Sequence, residues 1–216
     1  PLAITANFCA PIERGDYAVH VRRARANKSS QHWMVEFTQG ASDEPVLTAS
    51  VVTALRRETW SHALARAPAL PAYESTLPMS QRSSLSWVGQ YEFRFAEGTI
   101  ETSEQTFDPP RSPRSMLWVR DAEPRSLDFL SLVAMSDAFF GRIFQVIGRI
   151  PPFGTVSMTT HFHASADELA LQGSRPLAAV ADARVFHRSF GDQTVELYGS
   201  EGQLLATSVQ VAYFRV

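Results

Sequence analysis

The sequence predicts an α+β protein made of two related units, each an antiparallel sheet wrapped around a long helix. Three observations lead there. A proline-free stretch at residues 126–145 (SLDFLSLVAMSDAFFGRIFQ) has helical periodicity. β-Branched and aromatic runs separated by turn residues fill most of the rest. Segments of the two halves also match each other in order.

Taken along the chain, residues 4–8, 17–25, 32–39 and 46–55 read as an antiparallel meander, with a turn at 40–45. Pro68, Pro71 and Pro78 then interrupt the pattern, so residues 58–86 read as a linker with one helical turn near 60–65. A strand resumes at 87–97. The proline-rich run DPPRSPR at 108–114 reads as a mobile, solvated loop, and a short strand at 116–120 leads into the helix.

The helix has Ser126 as N-cap and is long enough for about five turns. At ~100° per residue, Leu130, Val133, Ala134, Phe140, Gly141 and Phe144 form one stripe, while Asp128, Ser131, Arg142 and Gln145 gather opposite. Asp137 falls within the apolar stripe. A carboxylate on that face needs a hydrogen-bond partner, and its pKa should rise. It is either a structural carboxylate or a catalytic acid or base. After a turn at 148–154, strands follow at 155–163, 177–188, 194–198 and 203–215, the last two joined through Ser200-Glu201-Gly202.

The repeat pairs LTASVVTAL (47–55) with LATSVQVAY (205–213), and Asn7-Phe8-Cys9-Ala10 with His161-Phe162-His163-Ala164. This divides the chain into a first unit at 1–57, the linker, and a second unit at 87–216. The first unit lacks the helix its sheet should wrap. A bare apolar face is unstable in water, so a strand and helix upstream of Pro1, or another segment in their place, are expected to cover it.

The chain has 216 residues, 44% of them hydrophobic, which suffices for one large or two small cores. A formal charge of -2 offers no electrostatic attraction to nucleic acid or an anionic membrane. The single cysteine, Cys9, excludes an internal disulfide and fits a reducing compartment. No apolar run approaches the ~20 residues of a membrane span, and no signal peptide opens the chain. The expectation is a soluble, cytoplasmic protein.

Several pieces in a fixed order resemble the acyl-CoA thioesterase II family. In the first unit they are Phe8 with Pro11 and Gly15, RANKSS from Arg25 to Ser30, and Gln39. In the second they are Ser136-Asp137, Gly154-Thr155, Phe162-His163, and the run from Glu201 through Gln210 that closes near Arg215. The resemblance implies a double hot-dog fold and hydrolysis of acyl-CoA by an Asp, a Thr or Ser, and a Gln that together hold a water. By position these are Asp137, Thr155 and Gln210. It also implies a homodimer, an acyl-CoA substrate and no cofactor. Two departures stand out: the connection from Asp137 to Thr155 is short, and Ser157 replaces the family's aspartate after the threonine.

The residues support the same trio on their own terms. Gln210 sits in the apolar strand VQVAYF, where a primary amide demands partners, yet its counterpart in the first unit is Val52. Thr155 alone is an ordinary strand threonine. Together with Asp137 the two form either a purely structural network or a water-holding site with Asp137 as general base. Phe139, Phe140, Phe144 and Phe153 are candidates for an acyl channel, with plain core packing as the other reading. His161 and His163 share a strand face, but no third metal ligand follows by spacing, so no metal site is assigned. Three functions fit: an acyl-CoA thioesterase, a non-catalytic acyl-CoA-binding protein, or a hydratase or dehydratase using one of those histidines.

Overall fold

The computed structural model describes residues 1–40, 42–80 and 86–216. Ala41 in the expected turn and residues 81–85 of the expected linker lie outside the described residues. The first half contributes β1 (Ala3–Phe8), β2 (Tyr17–Ala26), β3 (Ser30–Gln39) and β4 (Leu47–Ala54). Then come β5 (Tyr91–Glu97), β6 (Ser115–Asp121), α1 (Phe129–Asp137), α2 (Arg142–Ile147) and β7 (Phe153–Phe162). The chain continues through α3 (Ala166–Gln172), β8 (Leu177–Asp182), β9 (Phe186–His187), β10 (Phe190–Tyr198) and β11 (Leu204–Phe214).

Instead of the two sheets expected, all the strands join one antiparallel sheet, in the order β2-β3-β4-β1-β7-β11-β10-β8-β6-β5 with β9 beside β10. The seam is β1, which bonds β4 on one side and β7 on the other. Pairing these two edges satisfies backbone groups that separate sheets would leave open. At the seam's centre Thr5 lies opposite Thr159, their hydroxyls 3.0 Å apart. Outward from there β4 and β3 on one side mirror β11 and β10 on the other. β2 is exposed along its whole length.

The core lies where α1 and the adjoining segments cover one face of β5–β8, β10 and β11. It includes Leu117, Val119, Leu132, Met135, Leu177 and Leu197. Alternation along β11 sends Ser208, Gln210 and Ala212 to this covered face and Val209 and Val211 to solvent.

The long core helix is present over Phe129–Ile147, but it differs from the expected continuous rod. It begins later, capped by Asp128, whose carboxylate accepts the Ser131 N–H at 2.7 Å. It breaks at residues 138–141, where Gly141 lies so close to the Phe153 ring that a Cβ there would sit 2.8 Å from it. It ends at Gly148, in the left-handed conformation (φ 70°). By length and composition this segment matches a membrane span, which the sequence was not expected to contain; about two thirds of it is buried inside the protein.

Other expectations also change. Arg142 and Gln145, assigned to a polar helix face, are buried. The cover is the proline-rich loop, which is fastened rather than free. The Phe107 and Arg111 N–H groups donate to the Ile147 and Val146 carbonyls at 2.9 and 3.0 Å, satisfying orphan acceptors at the end of α2. Gln145 Nε2 donates to the Ser112 and Arg114 carbonyls, each at 2.8 Å. The single strand expected at 177–188 is split, because Asp192 binds the Arg184 and Val185 N–H groups and Arg188 and Ser189 turn with positive φ.

The helix α3 adds an element. Its capping box, Ser165 with Glu168, is visible in the sequence. No helical turn forms at 60–65; a 3-10 turn at Tyr73–Ser75 appears instead. That part of the linker is anchored on β5 and β6. Glu92 accepts from the Tyr73 hydroxyl at 2.6 Å, from Arg94 at 2.6 Å and from Arg120 at 2.6 Å, and Trp118 Nε1 donates to the Pro71 carbonyl at 2.9 Å.

Candidate active site

Asp137, Thr155 and Gln210 arrive from three elements and form one chain of hydrogen bonds. Gln210 Nε2 donates to Asp137 Oδ1 at 2.8 Å. Thr155 Oγ1 donates to Gln210 Oε1 at 3.2 Å. A weaker contact runs from Gln210 Nε2 to Met158 Sδ at 3.5 Å. Asp137 and Thr155 therefore meet through the Gln210 amide, and Gln210 is the only hydrogen-bond partner of the Asp137 carboxylate among the described residues.

A β-bulge makes this possible. In the β7–β11 pairing Gln210 opposes Met158 and Val211 opposes Ser157, but Ala212 opposes Thr155, leaving Val156 as the extra residue. Strict alternation back from Met158 would turn Thr155 to the outer face. The bulge returns it to the face that carries Gln210.

Asp137 is the last residue of α1, and polar ties hold that end of the helix to the sheet. Ser208 Oγ donates to the Ser136 carbonyl at 3.2 Å, and the Ser136 hydroxyl meets Thr160 Oγ1 at 3.0 Å. The break that follows is held by Gln193. Its Oε1 accepts the Arg142 N–H at 3.1 Å and its Nε2 donates to the Phe139 carbonyl at 3.4 Å. Arg142, 1% exposed, clasps the Phe140 carbonyl through Nε at 3.0 Å and Nη2 at 2.8 Å. Burial lowers its pKa to about 10, opposed by the charge of Asp182, so it stays charged at neutral pH.

The expectation of a core-facing Asp137 is corrected: the helix ends there and its side chain is exposed to a cleft. Water reaches it, yet the surrounding protein displaces enough solvent to raise its pKa to about 6, against the lowering effect of the Gln210 bond. Such a carboxylate is charged at neutral pH and still basic enough to take a proton.

The cleft has a volume of about 840 Å³, and Asp137, Thr155 and Gln210 are among the residues that line it. The four candidate phenylalanines, Phe139, Phe140, Phe144 and Phe153, all line it, while Phe139 and Phe144 are also largely buried. Trp87, Tyr91 and Ile12 complete parts of the wall without having been singled out by sequence, and neither was Gln193. Glutamine in an otherwise apolar alternating strand was the available signal for Gln193, as it was for Gln210.

His161 and His163 are exposed and do not line the cleft; His163 Nε2 instead meets Thr207 Oγ1 at 3.1 Å. Among the described residues no group of three or more His, Cys, Asp or Glu is placed to hold a metal. Ser157, at the position where the resembled family has an aspartate, donates to Asn7 Oδ1 at 2.9 Å and so binds across the β1–β7 seam.

Comparison with known proteins adds the family. The acyl-CoA thioesterase C-terminal domain profile matches residues 65–214, and the acyl-CoA thioesterase N-terminal domain profile matches residues 1–54. A hot-dog-fold protein of unknown function from Alicyclobacillus acidocaldarius is 33% identical, with a TM-score of 0.92 over 100% of this chain and 79% of its own. The acyl-CoA thioesterase II TesB2 of Mycobacterium marinum shares 15% identity, with a TM-score of 0.76 over 99% of this chain and 80% of its own. The tesB protein of Mycobacterium avium subspecies paratuberculosis shares 18%, with a TM-score of 0.75 over 100% and 79%. No match was found among curated protein sequences.

Proposed function

The chain belongs to the acyl-CoA thioesterase family, and on that footing we propose that it hydrolyses acyl-CoA through a water activated by Asp137 and positioned by Thr155 and Gln210. The observation that supports this reading is the Gln210 amide, which binds the acid with one end and the hydroxyl with the other, inside an apolar cleft.

The reaction then balances on these groups. Asp137 removes a proton from water as its oxygen attacks the thioester carbonyl carbon, giving a tetrahedral oxyanion. When the carbonyl reforms, the C–S bond breaks and the proton held by Asp137 goes to the departing sulfur. The products are a free acid and the CoA thiol. A thioester is electrophilic enough to need no serine or cysteine nucleophile, and general-base assistance contributes about 10²–10⁴-fold. Gln210 and Thr155 supply orientation.

The test is thiol release from acyl-CoA by the wild type and by Asp137→Asn. Loss of activity by about 10²-fold or more is expected. Equal rates in the two proteins remove Asp137 from the mechanism. A hydratase reading loses support because neither histidine lines the cleft. The same reading includes two repeated units at 1–57 and 87–216, supported by the mirrored strand order about Thr5 and Thr159. From the family resemblance it takes a homodimer, and from the lone Cys9 a reducing, cytoplasmic setting.

A further inference from the structure

The first half of the chain also reaches the cleft. The β1–β7 pairing stops at Asn7 opposite Ser157, and continuing that register would set Cys9 beside Thr155. Instead the Cys9 and Ala10 N–H groups turn to the Val46 carbonyl at 2.9 and 3.1 Å, and the loop at residues 9–16 leaves the sheet at the edge of the site. Its Ile12 forms part of the cleft wall together with Asp137 and Thr155.

This loop has no regular structure, and a hollow of about 660 Å³ lies along it, bordered also by Tyr17 and Thr38. Gln39, the last residue of β3, clips it. Its Oε1 accepts the Glu13 N–H at 3.0 Å and its Nε2 donates to the Glu13 carbonyl at 2.9 Å. Both backbone groups of the residue after Ile12 are thus held by one side chain, as a neighbouring strand would hold them.

Resting on the thioesterase reading, we propose that Ile12 is a specificity-determining contact for the acyl chain and that Gln39 is its positioning residue. Ile12 is 48% exposed, so apolar surface remains for a ligand to cover. Apart from Asp137, Thr155 and Gln210 the cleft wall is mainly aromatic and aliphatic, which suits an alkyl tail better than the polar amides of the CoA arm.

The experiment compares acetyl-CoA and octanoyl-CoA as substrates of the wild type, Ile12→Ala, Gln39→Ala and the double variant. For octanoyl-CoA, Ile12→Ala should raise KM by about 3- to 10-fold with kcat little changed, and acetyl-CoA should be unaffected. Gln39→Ala should reproduce that pattern, and the double variant should be no worse than Ile12→Ala alone, since both act through one contact. Ile12→Trp, on an exposed loop that needs no core repacking, should lower kcat/KM for octanoyl-CoA selectively. Additive effects overturn the role of Gln39. An unchanged octanoyl KM, or an equal rise for both substrates, overturns the acyl contact. If the wild type cleaves no acyl-CoA, both this proposal and the thioesterase reading fall; if Asp137→Asn is inactive but the Ile12 variants match the wild type, only this proposal falls.

Discussion

Gln193 and Gln210 lie directly opposite each other on β10 and β11, and each reaches up from the sheet to a different piece of the core helix. Gln210 holds the carboxylate that ends α1, and Gln193 holds the backbone within the break and at the first residue after it. Replacing Gln193 by Leu leaves the buried Arg142 N–H without an acceptor. The expected cost is about 1–3 kcal/mol in denaturant unfolding. It should be accompanied by a lower kcat, because the break sets where Asp137 ends. A variant with full stability and full kcat would show that the break holds itself.

The paired hydroxyls of Thr5 and Thr159 give a test of the sheet seam. Thr5→Val or Thr159→Val alone strands one hydroxyl and should cost about 1 kcal/mol. The double variant removes both groups and should cost less than the sum of the singles. Strict additivity in chemical denaturation would mean that the two residues do not interact across the seam.

Asp137 should govern both the acid limb of activity and a stability penalty. As general base it must be deprotonated, so kcat/KM should fall as pH drops through about 6. Its folded pKa lies above the ordinary 3.8, so the native state binds the proton more tightly than the unfolded chain. Its ionisation therefore destabilises the fold, absent below pH 3.8 and fully present above about 6. Asp137→Asn should raise Tm at pH 7.5, and the advantage should shrink as pH is lowered toward 4. A lower Tm at pH 7.5 would contradict this.

Glu92 has the opposite sign. Burial raises its pKa, but the hydrogen bonds from Tyr73, Arg120 and Arg94 outweigh it and bring the value to about 2, from an ordinary 4.5. Its contribution is therefore present above pH 4.5 and lost as pH falls through about 2. Glu92→Gln should destabilise the protein by about 2 kcal/mol at pH 7 and flatten the acid loss of stability. Thermal melts from pH 7 down to 2 would reveal a cluster of no consequence if the two curves ran parallel.

Most strands were legible because they follow a two-residue alternation, and the core helix because its apolar stripe is long. What was hidden came from contacts distant in sequence. The break at 138–141 depends on the Phe153 ring against Gly141 and on Gln193, more than fifty residues downstream of the break's start. Arg142 and Gln145 looked solvated because their cover comes from residues 98–115, which show no periodicity. The joining of β1 to β7 is a match between two edges, and no local pattern records it. In the candidate site, Asp137, Thr155 and Gln210 were each readable by type. The facing of Thr155 was not, since alternation groups it with Ser157 and Thr159 and only the bulge at Val156 reverses this.

The sheet also grips the strand on the far side of that extra residue. Pairing with β11 holds β7 on both sides of Val156, back to Phe153 opposite Phe214, and only before Phe153 does the chain leave the sheet in the turn carrying Ile150 and Pro151 in the cleft wall. Residues added to or removed from that turn reshape the rim while the hydroxyl of Thr155 keeps its place. The depth available to a substrate is thus a loop-grafting variable, adjustable by an engineer without retuning the proton-transfer chemistry.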